Sequence, residues 1–266
     1  MIGFIGVGNM GGAIVSSVIK NGIVPPEEIC LCDSSREKCE RFPGTVFCAS
    51  PRDLAGKCDI VFLAVKPAQI SDALTSLASS PDFDLGEIVT VTIAAGISIQ
   101  YIKRVLGEKA AVVRVMPNTP LLVGEGVSAL SRGDGVPDEK FDLVFRIFSA
   151  SGKAFLLPEE KMNAVISLTS SSPAYLFLLA EAMCAGAANQ GFDKDEAAEL
   201  CACVFKGAAE MILKSGMTPT ALREMVTSPG GTTKAALDVF SSYSFEKAVD
   251  EAMKACTRRA EELAKD

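Results

Sequence analysis

The chain has 266 residues, 48% of them apolar, which is enough to bury one large core or two modest ones, and two domains are expected. A formal charge of -7 and an isoelectric point near 4.9, with no basic cluster longer than Arg258-Arg259, exclude a phosphate-backbone partner such as nucleic acid. Histidine is absent, so Ser-His-Asp and Cys-His machinery is excluded, and any proton transfer falls to carboxylates, lysine, tyrosine, hydroxyls or water.

The first predicted element is an apolar strand over 2–5 that runs directly into a glycine loop. Gly6, Gly8 and Gly11 have the spacing G-x-G-x-x-G, and Asn9 and Met10 open the helix predicted over 9–20. In this pattern the first glycine permits a tight turn, the second lets backbone approach a pyrophosphate, and the third lets helix and strand pack closely. The N-terminal N–H groups of the helix then meet the anion, and a dinucleotide is the expected ligand. A second strand over 29–32 ends in Asp33, close to the spacing of about 20 residues at which an acidic side chain meets the ribose hydroxyls of NAD. Ser34, Ser35 and Arg36 follow at once and suit a 2'-phosphate. The two signals oppose each other; the balance favours NADPH, with NADH the alternative.

Further strands are predicted over 46–48, 60–65, 88–93, 112–116, 127–130 and 154–157, alternating with helical patterns. This is the signature of an α/β fold with a parallel, doubly wound sheet, assigned to an N-terminal domain of residues 1–157, with ligands at the carboxyl ends of the strands. The fourth strand runs into Ala64, Val65, Lys66 and Pro67, which places a cation on that edge. The fifth ends in Ala94, Ala95 and Gly96, and the sixth in Met116-Pro117-Asn118-Thr119-Pro120.

From residue 158 to 266 the pattern is helical. One long helix, or a pair kinked at Pro173, is expected over 159–190, because the proline ring cannot continue the hydrogen-bond ladder. Beyond it Ala174, Leu176, Phe177, Leu178, Ala180, Met183 and Ala187 make the helix apolar nearly all round, so it is predicted to form an intersubunit core. Asp193 with Glu196 starts another helix, Gly216 ends it, Thr218-Pro219 opens a short one, and the last is predicted over 245–263. Between them lies 226–235, with Ser228, Gly230, Gly231, Thr232 and Thr233 directly before a helix, an array of N–H groups and hydroxyls suited to a small carboxylate.

Nine cysteines, an odd number scattered through predicted strands and helices, point to a reducing, cytoplasmic setting. Without a CxxC pair or histidine, no zinc site is expected. The longest apolar run, 173–188, is interrupted by Glu181 and is shorter than the ~20 residues of a membrane span. The chain opens on a strand rather than a signal sequence, so a soluble protein is expected.

Six motifs in order, F-I-G-V-G-N-M-G (4–11), F-L-A-V-K-P (62–67), A-A-G (94–96), R-V-M-P-N-T-P (114–120), S-P-A-Y (172–175) and T-S-P-G-G-T-T (227–233), resemble the pyrroline-5-carboxylate reductase family along the full chain. The resemblance implies a Rossmann domain joined to a helical domain, 158–266, that forms an interlocked homodimer, with dimers often assembled into a decamer. It implies hydride transfer from NAD(P)H to a cyclic imine carboxylate, the last step of proline synthesis. Carried over, Gly6, Gly8, Asn9, Met10 and Gly11 would cradle the pyrophosphate, and Ser34 with Arg36 would meet the adenosine end. Ala64, Val65, Lys66, Pro67, Ala95 and Gly96 would line the nicotinamide side. Ser171, Ser228, Gly230, Gly231, Thr232 and Thr233 would hold substrate, with Thr232 and Lys66 the candidate catalytic residues. The chain departs from the family where Ser170 and Ser172 replace two glycines before Pro173, and where Pro51 replaces an asparagine. Two other readings are a β-hydroxyacid-type dehydrogenase using Lys161, and a non-catalytic NAD(P)-binding protein.

Overall fold

The computed structural model describes residues 1–80 and 87–264. All eight predicted strands are present: β1 (Ile2–Ile5), β2 (Ile29–Cys32), β3 (Val46–Phe47), β4 (Ile60–Leu63), β5 (Val89–Thr92), β6 (Ala111–Met116), β7 (Gly126–Arg132) and β8 (Gly152–Leu156). They form one sheet in the order β3-β2-β1-β4-β5-β6-β7-β8. The first six are parallel, as a doubly wound Rossmann-type sheet requires, and the strand order reverses between β1 and β4, where such sheets bind ligands. The last two strands depart from the expected direction. β7 is antiparallel to β6, because residues 117–125 are too few for the crossover a parallel return needs, and β8 then runs parallel to β7.

Alternation along the strands divides the core between the two faces. Phe4 and Phe62, stacked at 4.5 Å, lie on the face covered by α1 (Asn9–Lys20) and α5 (Asp138–Ser149). The short α2 (Arg36–Glu40) adds Cys39 to that core. Val61, Leu63 and Val112 lie on the other face, under Ile70, Leu74 and Leu77 of α3 (Ile70–Ala78) and Ile102 of α4 (Ile99–Leu106). With helices on both faces, the central strands are buried along their whole length and mostly apolar, with Thr90, Thr92 and Arg114 the polar exceptions in β5 and β6, which is why they are legible as apolar runs.

The helical part comprises α6 (Ser172–Asn189), α7 (Lys194–Lys214), α8 (Pro219–Met225), α9 (Thr232–Ser242) and α10 (Phe245–Leu263). Asp193 caps α7 by accepting from the N–H groups of Asp195 and Glu196, and Thr218 caps α8. The kink expected at Pro173 takes another form. A π-turn over Ile166–Ser170, closed by Ser171 N–H to the Ile166 carbonyl at 2.8 Å, precedes α6, and the proline sits in the first turn, where its missing N–H costs nothing.

The chain forms two compact units, Met1–Ser171 with the residues from Ala255 onward, and Ser172–Lys254. Residues 158–171 and the end of α10, read from sequence as part of the helical domain, therefore belong to the sheet unit, where Met162, Ile166 and Ala260 pack on Met116 and Ala129. The second unit buries little of its own apolar surface: Phe177 and Leu178 are 64% and 67% exposed, and Val204, Leu213 and Val239 are also exposed. No helix among the described residues is long and apolar enough to cross a membrane.

Candidate active site

The three motif glycines are required for different reasons. Gly6 has φ +96°, and a Cβ there would lie 2.7 Å from the Ala64 carbonyl oxygen; a Cβ on Gly11 would lie 2.2 Å from the Gly6 carbonyl oxygen. Both are fixed by the packing of strand against helix. Gly8, in contrast, has an ordinary φ of -73° and nothing within 4 Å of where its Cβ would be. The packing of the chain does not require a glycine there, so the open space is a cradle that a Cβ would fill. The first intrahelical bond is Gly12 N–H to the Gly8 carbonyl, no side chain caps α1, and no acid lies in its first turn. The N–H groups of Asn9, Met10 and Gly11 are thus left for an anion, and the loop fits a pyrophosphate.

Beside this loop a cleft of ≈ 680 Å³ opens over the carboxyl ends of β1, β2 and β4, lined by Gly6, Gly8, Asp33, Ser34, Lys38, Ala64, Val65 and Lys66. Asp33 does not project into it as a free acceptor. Its Oδ2 accepts the Val7 N–H at 2.7 Å, and its Oδ1 accepts the Ser35 N–H at 2.9 Å and Lys38 Nζ at 3.0 Å. Burial opposes its ionisation, but these three donors outweigh it and hold the carboxyl below the usual aspartate range. The Val7 carbonyl accepts from Arg41 Nη2 at 2.9 Å, so one residue of the glycine loop is held through both its N–H and its carbonyl. Arg36, predicted to meet the adenosine end with Ser34, points elsewhere: its Nε donates to Glu40 at 2.9 Å, its guanidinium lies 5.1 Å from the Phe47 ring centre, and only Ser34 of the two lines the cleft.

Lys66 is exposed on the rim, where it precedes the turn Pro67–Gln69, and its N–H meets Gln69 Oε1 at 3.4 Å. Ala95 packs beside Met116, Met162 and Ala260, and Gly96, at φ +79°, is buried where a Cβ would lie 2.9 Å from the Leu263 side chain. The immediate neighbours of Ala95 and Gly96 are thus the end of α10 and the residues packed with it. Asn118 is also committed internally: its Nδ2 donates to the Thr169 carbonyl at 3.0 Å and its Oδ1 accepts from Val127 N–H at 2.8 Å. Of the two serines that replace family glycines, Ser170 donates its hydroxyl to the Pro117 carbonyl at 3.0 Å, a contact with the chain itself. Ser171, a candidate substrate residue, accepts from the Cys256 thiol at 3.2 Å.

Three residues that sequence reasoning did not single out organise this unit. Lys38 and Arg41 hold the glycine loop and Asp33. Arg114, only 2% exposed in the middle of β6, donates to Asn163 Oδ1 at 2.6 Å and pairs with Glu159 at 3.5 Å, while Glu159 also accepts the Ile99 N–H at 2.7 Å. Its sequence signals are its place at the head of the R-V-M-P-N-T-P motif and a charge inside the run Val112-Val113-Arg114-Val115-Met116.

In the helical unit, Ser228, Gly230, Gly231, Thr232 and Thr233 are brought together at the start of α9. Gly230 has φ +72°, Gly231 N–H bonds the Ser228 carbonyl at 3.0 Å, and a Cβ on Gly231 would lie 2.5 Å from Ser228 Oγ. The tight turn therefore needs a glycine at 230, whereas a side chain at 231 would displace the Ser228 hydroxyl. α9 has no side-chain cap and no acid in its first turn, and the Thr232 hydroxyl stands exposed at its first position. Such a helix start favours a carboxylate.

Two family profiles match the chain: one described as NADP oxidoreductase, coenzyme F420-dependent, over residues 1–96, and one described as pyrroline-5-carboxylate reductase dimerisation, over residues 159–263. The pyrroline-5-carboxylate reductase of Escherichia coli is 37% identical over 99% of this chain and 98% of its own length. Among solved structures, a pyrroline-5-carboxylate reductase from Coxiella burnetii superposes with a TM-score of 0.88 at 34% identity, over 100% of this chain and 98% of that one. The Plasmodium falciparum pyrroline carboxylate reductase with NADP bound superposes with a TM-score of 0.91 at 27% identity, over 99% and 97% of the two chains. The chain belongs to the pyrroline-5-carboxylate reductase family.

Proposed function

We propose that this protein reduces 1-pyrroline-5-carboxylate to L-proline with NADPH as hydride donor, the final step of proline biosynthesis. The observation that carries this reading is the match to the Escherichia coli enzyme over nearly the whole of both chains, with the glycine loop and the α9 helix start both intact. NADP is the cofactor named for the Plasmodium falciparum relative, and NADH is the alternative.

In this reading residues 1–157 bind the nucleotide and 158–266 bind substrate and dimerise. Gly6, Gly8, Asn9, Met10 and Gly11 receive the pyrophosphate, Ser34 faces the adenosine end, and Ala64, Val65, Lys66, Pro67 and Ala95 line the nicotinamide side. The cofactor supplies the hydride. Ser171, Ser228, Gly230, Gly231, Thr232 and Thr233 hold the substrate, with the helix start neutralising its carboxylate. The Thr232 hydroxyl orients the imine nitrogen. A threonine is too weak an acid to protonate it, so the proton comes from water or arrives with an iminium substrate. Lys66 adds positive charge at the rim.

The exposed apolar faces of α6 and α7 support a homodimer through the helical unit, with a decamer as the larger assembly. Nine free cysteines fit a cytoplasmic enzyme. The test is the initial rate of NADPH oxidation by purified protein with and without pyrroline-5-carboxylate. Imine-dependent oxidation is expected; cofactor binding without imine-dependent turnover would overturn the reading.

A further inference from the structure

The end of β2 carries two features that sequence alone sets in opposition. An aspartate there ordinarily accepts both ribose hydroxyls of NAD and repels a 2'-phosphate. In this chain the Asp33 side chain is 6% exposed, and its oxygens are taken by the Val7 N–H, the Ser35 N–H and Lys38 Nζ at 2.7, 2.9 and 3.0 Å, with the Ser34 hydroxyl a further donor at 3.4 Å. A carboxylate committed to four donors and turned from solvent has little capacity left for a ribose. Lys38 is 43% exposed and lines the cleft together with Ser34. Its ammonium has three donors, and the Asp33 contact uses one.

We propose that Lys38 is the residue that admits and holds the 2'-phosphate of the cofactor, and that Asp33 is a positioning residue that clamps the glycine loop at Val7 rather than an acceptor for the ribose. The proposal rests on the NADPH reading above and adds to it which side chain sets the preference. Arg36, the guanidinium that the sequence puts forward for this task, is committed to Glu40 and Phe47. The Asp33–Lys38 pair joins the two jobs: the lysine cancels the charge that would repel the phosphate, and the carboxylate fixes the ammonium at the cleft edge.

The test uses two nucleotide fragments that differ only in the 2'-phosphate, 2',5'-ADP and 5'-AMP, titrated calorimetrically into the full-length protein. For the unaltered protein 2',5'-ADP binds more tightly. Lys38→Met weakens 2',5'-ADP by roughly tenfold or more, the scale of a charge-assisted hydrogen bond to an anion, and leaves 5'-AMP within about twofold. Lys38→Arg restores the discrimination. Asp33→Asn, which keeps one acceptor but removes the charge, weakens both fragments together by disturbing the loop, without reversing the preference. Lys38→Met that leaves the ratio of the two affinities unchanged, or Arg36→Ala that abolishes it alone, would overturn the proposal. Since these are binding measurements, that failure is distinct from failure of the reductase reading, which is judged by imine-dependent turnover.

Discussion

Replacing Gly8 and Gly11 separately by alanine gives a direct measure of which glycine serves the fold and which serves the ligand. At Gly11 the new methyl would lie 2.2 Å from the Gly6 carbonyl oxygen, a backbone atom that cannot rotate away. Helix and strand must move apart, and a destabilisation of about 3 kcal/mol, the upper end of overpacking costs, is expected. At Gly8 the methyl meets open space at a φ of -73° that any residue adopts. Alanine is a poorer N-cap than glycine, so the fold loses less than about 1 kcal/mol, a melting shift of roughly 2–4 °C for a chain of this size. That methyl does, however, occupy the cradle between the N–H groups of α1 and the anion. Loss of one or two charge-assisted hydrogen bonds at about 1.5–3 kcal/mol each weakens NADPH binding by at least tenfold. Thermal unfolding without ligand, and calorimetric titration with NADPH, read the two effects apart. A Gly8→Ala protein that binds NADPH within twofold of the unaltered protein, or a Gly11→Ala protein of unaltered stability, would refute the reasoning.

Thr232→Ala is expected to lower kcat/KM for the imine by roughly 10–100-fold, equivalent to about 1.4–2.7 kcal/mol of transition-state stabilisation. Nucleotide affinity should be unchanged and Thr232→Ser should recover most of the rate; an unaltered rate in Thr232→Ala would remove the hydroxyl from the mechanism. Glu159→Ala strands the buried Arg114 guanidinium and the Ile99 N–H, and should cost about 3–5 kcal/mol in urea unfolding; a loss below about 1 kcal/mol would show that Asn163 alone satisfies the arginine. Leu178→Glu, on the exposed apolar side of α6, should shift sedimentation equilibrium toward the monomer, since each fully buried leucine contributes about 1.5–3 kcal/mol. Unchanged association would place the interface elsewhere. Asp33, depressed in the fold by its three donors, contributes stability that is present above the ordinary aspartate pKa of about 4 and is lost as pH falls through the lower folded value. Acid unfolding of Asp33→Asn should lack that component, and an identical acid limb would contradict it.

The elements were legible because they are defined locally. A parallel sheet with helices on both faces leaves its strands as mostly apolar runs, and the caps of α7 and α8 are set by Asp193 and Thr218 a residue before each helix. The reversal at β7 has its sequence signal in the shortness of 117–125, which the alternating pattern of strands and helices around it masks. Pro173 was read as a kink, and the structure uses it as a helix start, since a proline's effect depends on which turn it occupies.

The site was legible in residue type and not in direction. Spacing placed Asp33 at the end of β2, but nothing local to it shows that its carboxylate turns inward to Val7. Arg36 looked the better phosphate ligand than Lys38 because it lies nearer the strand, whereas Glu40, four residues on, and Phe47 draw it aside. Gly96 resembles a ligand glycine in sequence, yet its immediate neighbour is Leu263, a contact between residues far apart in the chain. Arg114 needed partners from beyond its own domain motif, Glu159 and Asn163, before its burial made sense.

The most direct test of the account is the stoichiometry of L-proline formed against NADPH consumed when the purified protein acts on pyrroline-5-carboxylate. One L-proline per NADPH is predicted. NADPH consumption without proline, or binding of NADPH with no proline formed, would contradict the assignment of this chain as an imine reductase.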